Sequence, residues 1–218
     1  AGKIAMEHMT PVLLLSDGFI ANGSEPWRIP SMKEYPKITP PIVTRAPEGG
    51  FHPYARDEKR LARMWALPGT KGVEHRVGGL EKDSLSGAVS HDPENHERMV
   101  GLRAAKVARV QDFIPKQEVV GGRRGELLVV GWGGTYGHLL TAVRELQRRG
   151  EQVSLCQFNF IHPLPRGVRE IFSRFRRIVV CELNSGQFAG YLRQQFQEFE
   201  FLQYNKIQGL PFTVTELR

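Results

Sequence analysis

The densest group of ionisable side chains in this sequence lies in a glycine-rich stretch, residues 69–83. Glycines let a backbone approach a ligand closely, and loops of this kind often carry binding and catalytic groups. His75 offers a proton donor or an anion contact near neutral pH, Arg76 offers a clamp for a carboxylate or phosphate, and Glu74 is the acid beside them. A second interpretation stays open, in which the stretch is a solvated loop held by salt bridges.

A second glycine-rich loop, residues 131–137, follows an apolar run and precedes a helical pattern. Backbone N–H groups at a helix N-terminus can hold an anion, which makes Gly133, Gly134 and Thr135 candidates for cofactor binding. The G-x-G-x-x-G spacing of dinucleotide sites would require glycine where Tyr136 stands, and no acidic residue ends the next strand. We therefore favour a tight turn that lets the loop and its helix pack closely, with an anion or interface role as the alternative.

Other reactive residue types form no recognisable catalytic set. His91 and His96 are five residues apart and do not share a helix face as zinc ligands would, so we predict no metal site. The sequence lacks a G-x-x-x-x-G-K-[ST] phosphate loop and a G-x-S-x-G nucleophile motif. Five arginines between positions 166 and 177 have no interleaved exposed aromatic residues, which argues against a nucleic-acid-binding site there. Glu182 stands at a strand end and is a candidate functional residue, with a helix-capping turn as the default interpretation.

The elements that must position these residues alternate regularly from Glu126 onward. Apolar runs bounded by glycines predict strands buried on both faces, and helical spacing predicts helices between them. The predicted strands are residues 127–130, 152–158, 177–183, 199–204 and 211–214, and the predicted helices are residues 136–149, 165–175 and 187–197. The alternation predicts an α/β fold with a three-layer, open, mostly parallel sheet, whose ligands lie beyond the carboxyl ends of the strands.

The first half of the chain has a different pattern. Residues 11–15 predict one further strand, and residues 92–113 predict a helix capped by Asp92 or Ser90. Between residues 26 and 90, prolines interrupt every periodic run and forbid a long regular element. We expect this long irregular N-terminal arm to wrap a neighbour.

The composition is that of an ordinary globular protein. Lys plus Arg number 30 against 23 Asp plus Glu, a formal charge of +7 over 218 residues, with 40% hydrophobic residues. That balance excludes a wholly disordered chain, and no apolar run approaches the roughly 20 residues that a bilayer requires. The two cysteines have no nearby partner, so we expect free thiols and a cytoplasmic protein. The first eight residues read as the tail of a helix already under way, which predicts a piece of something longer.

The same stretches carry a resemblance. They occur in this order: PVLLLSDGFIANGSEPW at residues 11–27, GVEHRVGGLEK at 72–82, HDPENH at 91–96, GWGGTYG at 131–137, ELNSGQ at 182–187 and GLPF at 209–212. Through these motifs the chain resembles, over nearly all of its length, the alpha subunit of 2-oxoglutarate:ferredoxin oxidoreductases.

The resemblance implies an enzyme that decarboxylates a 2-oxoacid on thiamine diphosphate, passes two electrons through a 4Fe–4S cluster to ferredoxin and delivers the acyl group to coenzyme A. A beta subunit would hold the diphosphate, its Mg²⁺ and the cluster, so this fragment alone would bind no cofactor and would be inactive. Residues 1–25 would end the pyrimidine-binding domain, residues 26–125 would form the linker arm and helix, and residues 126–218 would form a transketolase C-terminal-like domain.

The resemblance also assigns roles within the fragment, which would be mainly structural. His75, Arg76 and Glu74 would lie near the shared active site, and six motif residues would lie at interfaces: Trp27, Glu81, Lys82, Glu182, Asn184 and Gln187. Partners would be the beta subunit and ferredoxin, with no nucleic acid and no membrane. Two alternatives stay open, a stand-alone α/β module that binds a nucleotide at residues 131–137 and a scaffold that holds a dimer.

Overall fold

The computed structural model describes residues 1–218, whose contacts group them into two units. Unit 1 comprises residues 1–14 and 27–114, and unit 2 comprises residues 15–26 and 115–218. The three-part division at residues 25 and 125 stays a prediction.

The helices are α1 (Gly2–His8), α2 (Gly18–Asn22), α3 (Pro93–Arg109), α4 (Tyr136–Arg148), α5 (Val168–Phe172) and α6 (Gln187–Gln195). The strands are β1 (Ile42–Val43), β2 (Trp65–Ala66), β3 (Gly125–Trp132), β4 (Val153–Phe158), β5 (Phe175–Glu182) and β6 (Phe201–Asn205). Short 3₁₀ turns occupy Met32–Glu34, Val110–Asp112 and Gly133–Thr135. None of the helices is long and apolar enough to cross a bilayer.

Unit 2 is built on a four-stranded parallel sheet in the order β4-β3-β5-β6. Successive residues of β3 point to opposite faces, so Leu128 and Val130 pack with the side chains of α5 and α6, while Val129 packs with Leu139 and Val143 of α4. Helices therefore cover both faces of the sheet. The predicted three-layer open α/β fold is confirmed.

Helix α5 of unit 2 is shorter than the sequence predicts. It begins at Val168, after Gly167 has turned the chain with a φ of 90°, and it ends at Phe172. The prediction of a helix over residues 165–175 is wrong at both ends, because Phe175 already begins β5. Its aromatic side chain belongs to the same core as Phe172, which explains why the apolar spacing extends past the helix.

Two predicted strands are absent. Residues 11–15 pair with no other strand, and Leu13 and Leu14 are 88% and 83% exposed, because an apolar run forms a strand only where a partner supplies the hydrogen bonds. Residues 211–214 also form no ladder. The apolar signal there comes from Phe212, which is buried and stacks on Tyr204 with ring centroids 5.6 Å apart.

Unit 1 contains the irregular segment and α3. Between residues 26 and 90, regular structure is limited to one 3₁₀ turn and the two-residue parallel pair β1 and β2, as the prolines predict. The predicted helix is present as α3, followed by a 3₁₀ turn. The Asp92 carboxylate caps it by accepting a hydrogen bond from the Asn95 N–H at 2.8 Å, and Pro93 occupies the first turn, where its missing N–H costs nothing.

Candidate functional site

The carboxyl ends of β3 and β5 form the position at which an open parallel sheet normally binds a ligand. The chain passes from β3 to β4 on one side and then to β5 on the other, so the strand order reverses between β3 and β5. A crevice opens outside such a reversal in this class of sheet. Here Trp132 ends β3 and Glu182 ends β5.

Glu182 is fully buried in this position, with 0% of its surface exposed. Its carboxylate accepts hydrogen bonds from the backbone N–H groups of Phe188 and Ala189, both at 2.9 Å, and from the indole N–H of Trp132 at 3.2 Å. The two backbone groups belong to the first turn of α6, where the helix dipole favours a negative charge. Glu182 therefore caps α6. Together with Trp132 it occupies the ligand position at the carboxyl ends of β3 and β5, which we call the mouth of the sheet.

The turn that follows also serves to cap α6. The side-chain oxygen of Asn184 accepts hydrogen bonds from the N–H groups of Gly186 at 2.7 Å and Gln187 at 3.3 Å. Gly186 has a φ of 96°, a conformation that suits glycine. The default interpretation of this motif as a cap-forming turn is confirmed. The structure does not place the Glu182 carboxylate at a surface, whereas Gln187 is exposed.

The glycine-rich loop at residues 131–137 is a tight turn. Gly131 is buried, and a Cβ at this position would overlap Leu139 Cδ1 and lie 2.9 Å from Thr135 Oγ1. Gly133 has a φ of 58°. Only glycine lets β3 approach α4 this closely, so the favoured interpretation of the loop is confirmed.

A carboxylate of the same unit already lies against this loop. Asp17 caps α2 by accepting a hydrogen bond from the Phe19 N–H at 2.7 Å, and its other oxygen is so close to Gly134 that a Cβ there would lie 2.7 Å from it. The Thr135 hydroxyl is buried and donates to the Trp132 carbonyl oxygen at 2.9 Å. A negative charge beside Gly134 opposes anion binding there. The cofactor candidates Gly134 and Thr135 both make structural contacts within unit 2.

The candidate catalytic residues of unit 1 are not assembled into a site within this chain. His75 Nδ1 lies 2.9 Å from the Val73 carbonyl oxygen, and its ring meets the edge of Phe51 with centroids 5.5 Å apart. Arg76 and Glu74 are exposed, and their side chains contact no group that could serve as a base or nucleophile. This arrangement leaves Arg76 free to meet a group from outside the chain.

Glu81 lies in a charged cluster at the surface of α3. Its carboxylate accepts hydrogen bonds from Arg103 at 3.0 Å and from His96 at 2.7 Å. The Arg103 guanidinium, followed by His96, holds the pKa of Glu81 below its ordinary value. Trp27, another predicted interface residue, is 70% exposed.

Lys82 is buried, with only 2% of its surface exposed. Its ammonium group donates to the carbonyl oxygens of Gly78 at 3.1 Å and Leu80 at 2.5 Å, and no carboxylate pairs with it. Burial of an unpaired cation is costly, which makes Lys82 the least expected charged residue of unit 1.

Comparison with known proteins gives a consistent family. No family model matches the sequence. Over all 218 residues the chain is 42% identical to 2-oxoglutarate oxidoreductase subunit KorA of Mycobacterium tuberculosis, and it spans 33% of that protein. This chain is homologous to the alpha subunits of 2-oxoacid:ferredoxin oxidoreductases. It is also 27% identical over 188 residues to 2-oxoglutarate synthase subunit KorA of Methanothermobacter marburgensis, covering 86% of this chain and 49% of that one.

A solved structure agrees with this alpha-subunit homology. The 2-oxoglutarate:ferredoxin oxidoreductase from Magnetococcus marinus, with 2-oxoglutarate, coenzyme A and succinyl-CoA bound, matches with a TM-score of 0.76 and 26% identity, covering 86% of this chain and 32% of that chain. The predicted transketolase C-terminal-like fold is therefore confirmed. The chain spans between a third and a half of the relatives named here.

The sequence reasoning missed two residues of this alpha-subunit homologue. Asp17 receives no role from the sequence pattern, although an acidic residue directly before Gly18 is a common helix cap and indicates a fixed carboxylate. Trp132 lies within the glycine-rich motif at residues 131–137, and the sequence pattern gives it no role of its own. Its hydrogen bond to Glu182 joins residues 50 positions apart, a contact that no local pattern reveals.

Proposed function

We propose that this chain is the C-terminal part of the alpha subunit of a 2-oxoglutarate:ferredoxin oxidoreductase, in which it has a mainly structural, assembly role. The complete enzyme would convert 2-oxoglutarate, coenzyme A and oxidised ferredoxin into succinyl-CoA, CO₂ and reduced ferredoxin. The observation that carries the proposal is the 42% identity to a 2-oxoglutarate oxidoreductase subunit along the whole chain.

The assembly role is supported by the filled mouth of the parallel sheet. The buried Glu182 and the partly buried Trp132 occupy the place where a ligand would enter, and Asp17 places a negative charge against the neighbouring loop. A sheet whose ligand position is occupied by its own side chains leaves no ligand crevice there, which favours a structural role over a catalytic one.

We assign the thiamine diphosphate, the Mg²⁺ and the 4Fe–4S cluster to a beta subunit. The cluster needs four thiolates, and this chain has two cysteines, Cys156 and Cys181, both buried and free. Burial raises the pKa of each thiol to about 12, which opposes the thiolate form that iron requires. The free thiols also agree with the cytoplasmic location that we propose.

The beta subunit is the proposed partner for the exposed apolar residues of unit 1. Trp27, Ile29 and Met32 are 70%, 81% and 82% exposed, and exposed aromatic and Met side chains are typical of protein interfaces. Glu81 of unit 1 is proposed to lie at the rim of these contacts, and Asn184 and Gln187 are proposed to lie at an interface of unit 2.

His75 and Arg76 are proposed to contact the shared active site or coenzyme A. In the complete complex, His75→Ala and Arg76→Ala should each lower turnover more than they lower assembly, and the exposed Arg45→Ala should change neither. Unchanged kinetics with 2-oxoglutarate would remove His75 and Arg76 from the proposal.

Assembly is tested by isolating the protein from its own cells through an affinity tag on this chain. We expect a second polypeptide with the absorbance of an iron–sulfur cluster to co-purify in a stoichiometric complex.

The alternative of a stand-alone nucleotide-binding module is tested by thermal shift of the 218-residue chain with NADH, FAD, ATP and coenzyme A. Stabilisation by NADH or FAD alone, with no co-purifying subunit, would contradict the proposed function.

A further inference from the structure

Unit 1 contains a cavity of about 420 Å³ whose charged lining is almost entirely basic. It lies between the irregular segment and α3, and the titratable side chains around it are Arg56, Arg63, Lys82, Arg103, Lys106 and Glu81. Five cations thus face one carboxylate. Like charges gathered in a partly buried space repel one another, so such a cluster favours an anion that can offset them.

The single carboxylate does not neutralise the cluster. Glu81 is already engaged by Arg103 and by His96, at 3.0 and 2.7 Å. Lys82 donates only to backbone carbonyls, and Lys106 donates to the carbonyl oxygen of Met9 at 2.7 Å. These contacts hold the two ammonium groups in place without supplying a negative charge.

Among the basic residues of the cavity, Arg63 has the most N–H donors available to a ligand. Its guanidinium lies over the Tyr54 ring, 4.2 Å from the centroid, and makes no hydrogen bond or ion pair within the chain. A planar guanidinium fixed by stacking presents two parallel N–H donors, the geometry that matches a phosphoryl group. Stacking on Tyr54 therefore prepares Arg63 for an anion.

Burial and mutual repulsion within the cluster lower the pKa values of two of its members. Burial, followed by the charge of Arg63, lowers the pKa of both Arg56 and Lys106 from their ordinary values. Arg56 is held by the carbonyl oxygens of Tyr54 and Ser84, at 2.8 and 2.7 Å, so it cannot move away from its neighbours.

Gly78 and Gly79 complete the wall of the cavity. Their backbone N–H groups make no hydrogen bond within the chain, and a side chain on either glycine would meet no heavy atom within 4 Å. This wall is open to a ligand, and free N–H groups are additional donors for its oxygen atoms.

We propose that this cavity binds a diphosphate group, either as free pyrophosphate or as part of a nucleoside diphosphate. A diphosphate carries several negative charges in a compact volume, and its oxygens can accept from the guanidinium, the ammonium groups and the glycine N–H groups together. The concave shape favours this occupant over an acidic protein surface, which would present its charges to a flat patch.

Isothermal titration of the 218-residue chain with inorganic pyrophosphate tests the proposal, with ADP as a parallel ligand. We expect saturable one-site binding that weakens at least tenfold in Arg63→Gln and less than twofold in Arg45→Gln, which removes an exposed arginine of the same unit outside the cavity. ADP binding more tightly than pyrophosphate would indicate a nucleotide, and equal affinities would indicate that the diphosphate alone is recognised.

A second variant keeps the test independent of the Arg63 stack. Gly79→Glu adds a carboxylate at an open position of the wall and should abolish binding while leaving the circular dichroism spectrum and melting temperature unchanged. The proposal is overturned if the folded chain does not bind pyrophosphate or ADP, if Arg45→Gln weakens binding as much as Arg63→Gln, or if a polyglutamate peptide binds and pyrophosphate does not compete with it.

Discussion

Trp132 donates its indole N–H to the Glu182 carboxylate at 3.2 Å, which links the carboxyl ends of the adjacent strands β3 and β5. The same carboxylate caps α6 through two backbone N–H groups. One buried side chain thus fixes the strand ends and the helix that follows, at the place where related sheets keep a ligand crevice.

Replacement of Glu182 should destabilise unit 2 strongly. Glu182→Gln removes the charge and turns one acceptor into a donor that faces backbone N–H groups, so we expect a loss of about 2–3 kcal/mol in the free energy of unfolding. Urea unfolding followed by circular dichroism measures this loss. The control Glu151→Gln changes an exposed acid of the same unit, and equal midpoints for the two variants would contradict the capping role.

The tight turn after β3 makes opposite predictions for two nearby glycines. Gly131→Ala places a methyl group against Leu139 and Thr135 and should cost about 1–3 kcal/mol, because the packed turn cannot relax freely. Gly137→Ala has open space within α4 and should leave stability unchanged or raise it by up to about 1 kcal/mol. Thermal melts of the pair measure the difference, and a Gly131→Ala protein as stable as Gly137→Ala would refute the close approach.

Acid should destabilise unit 1 through Glu7. Hydrogen bonds from Lys3, then from the Thr39 backbone, lower the pKa of Glu7 to about 2 from 4.5. Since the folded-state pKa lies below the unfolded one, the stabilisation is complete above about pH 5 and is lost as the pH falls toward 2.

The variant Glu7→Gln isolates this contribution. We expect it to cost about 2 kcal/mol near pH 6 and progressively less at lower pH, so that its unfolding curve meets that of the wild type in acid. The exposed Glu48→Gln is the matched control and should run parallel to the wild type. A constant difference between Glu7→Gln and the wild type from pH 6 to 2 would show that Glu7 does not titrate with folding.

Both cysteines should be unreactive while unit 2 is folded. Burial raises the pKa of Cys156 and of Cys181 to about 12, so almost no thiolate is present at pH 8. Labelling with a chromogenic disulfide should therefore proceed only at the rate of unfolding and become rapid for two thiols in urea. Fast labelling of the folded chain would contradict the burial of these residues.

The sheet of unit 2 was predictable because each of its strands has a local sequence pattern, an apolar run. Glycines separate the apolar run of β3 from the helical spacing of α4. The alternation of strands and helices is therefore visible in the sequence itself. The strand predicted at residues 11–15 failed for the complementary reason, since Leu13 and Leu14 are apolar but no strand pairs with them. An apolar run predicts that its side chains are buried or contact a partner. Whether it forms a β-strand depends on pairing with residues that are distant in the sequence.

The candidate sites were harder to predict because they depend on long-range contacts. The capping turn at Asn184 uses neighbouring residues and was predicted correctly. The basic cavity brings Arg63 near Lys106, residues 43 positions apart along an irregular path, and the glycine-rich loop contributed its wall rather than its His75. Proline-rich segments follow no period, so sequence spacing gives no guide to which side chains they bring together.

We propose that this chain is part of a 2-oxoglutarate:ferredoxin oxidoreductase. The most direct measurement is ferredoxin reduction by the complex purified through this chain, assayed with 2-oxoglutarate and coenzyme A together and with each omitted. We predict reduction only when both are present, with succinyl-CoA formed and two one-electron ferredoxins reduced per CO₂ released. A pure, intact complex that reduces no ferredoxin with 2-oxoglutarate and coenzyme A would contradict this proposal.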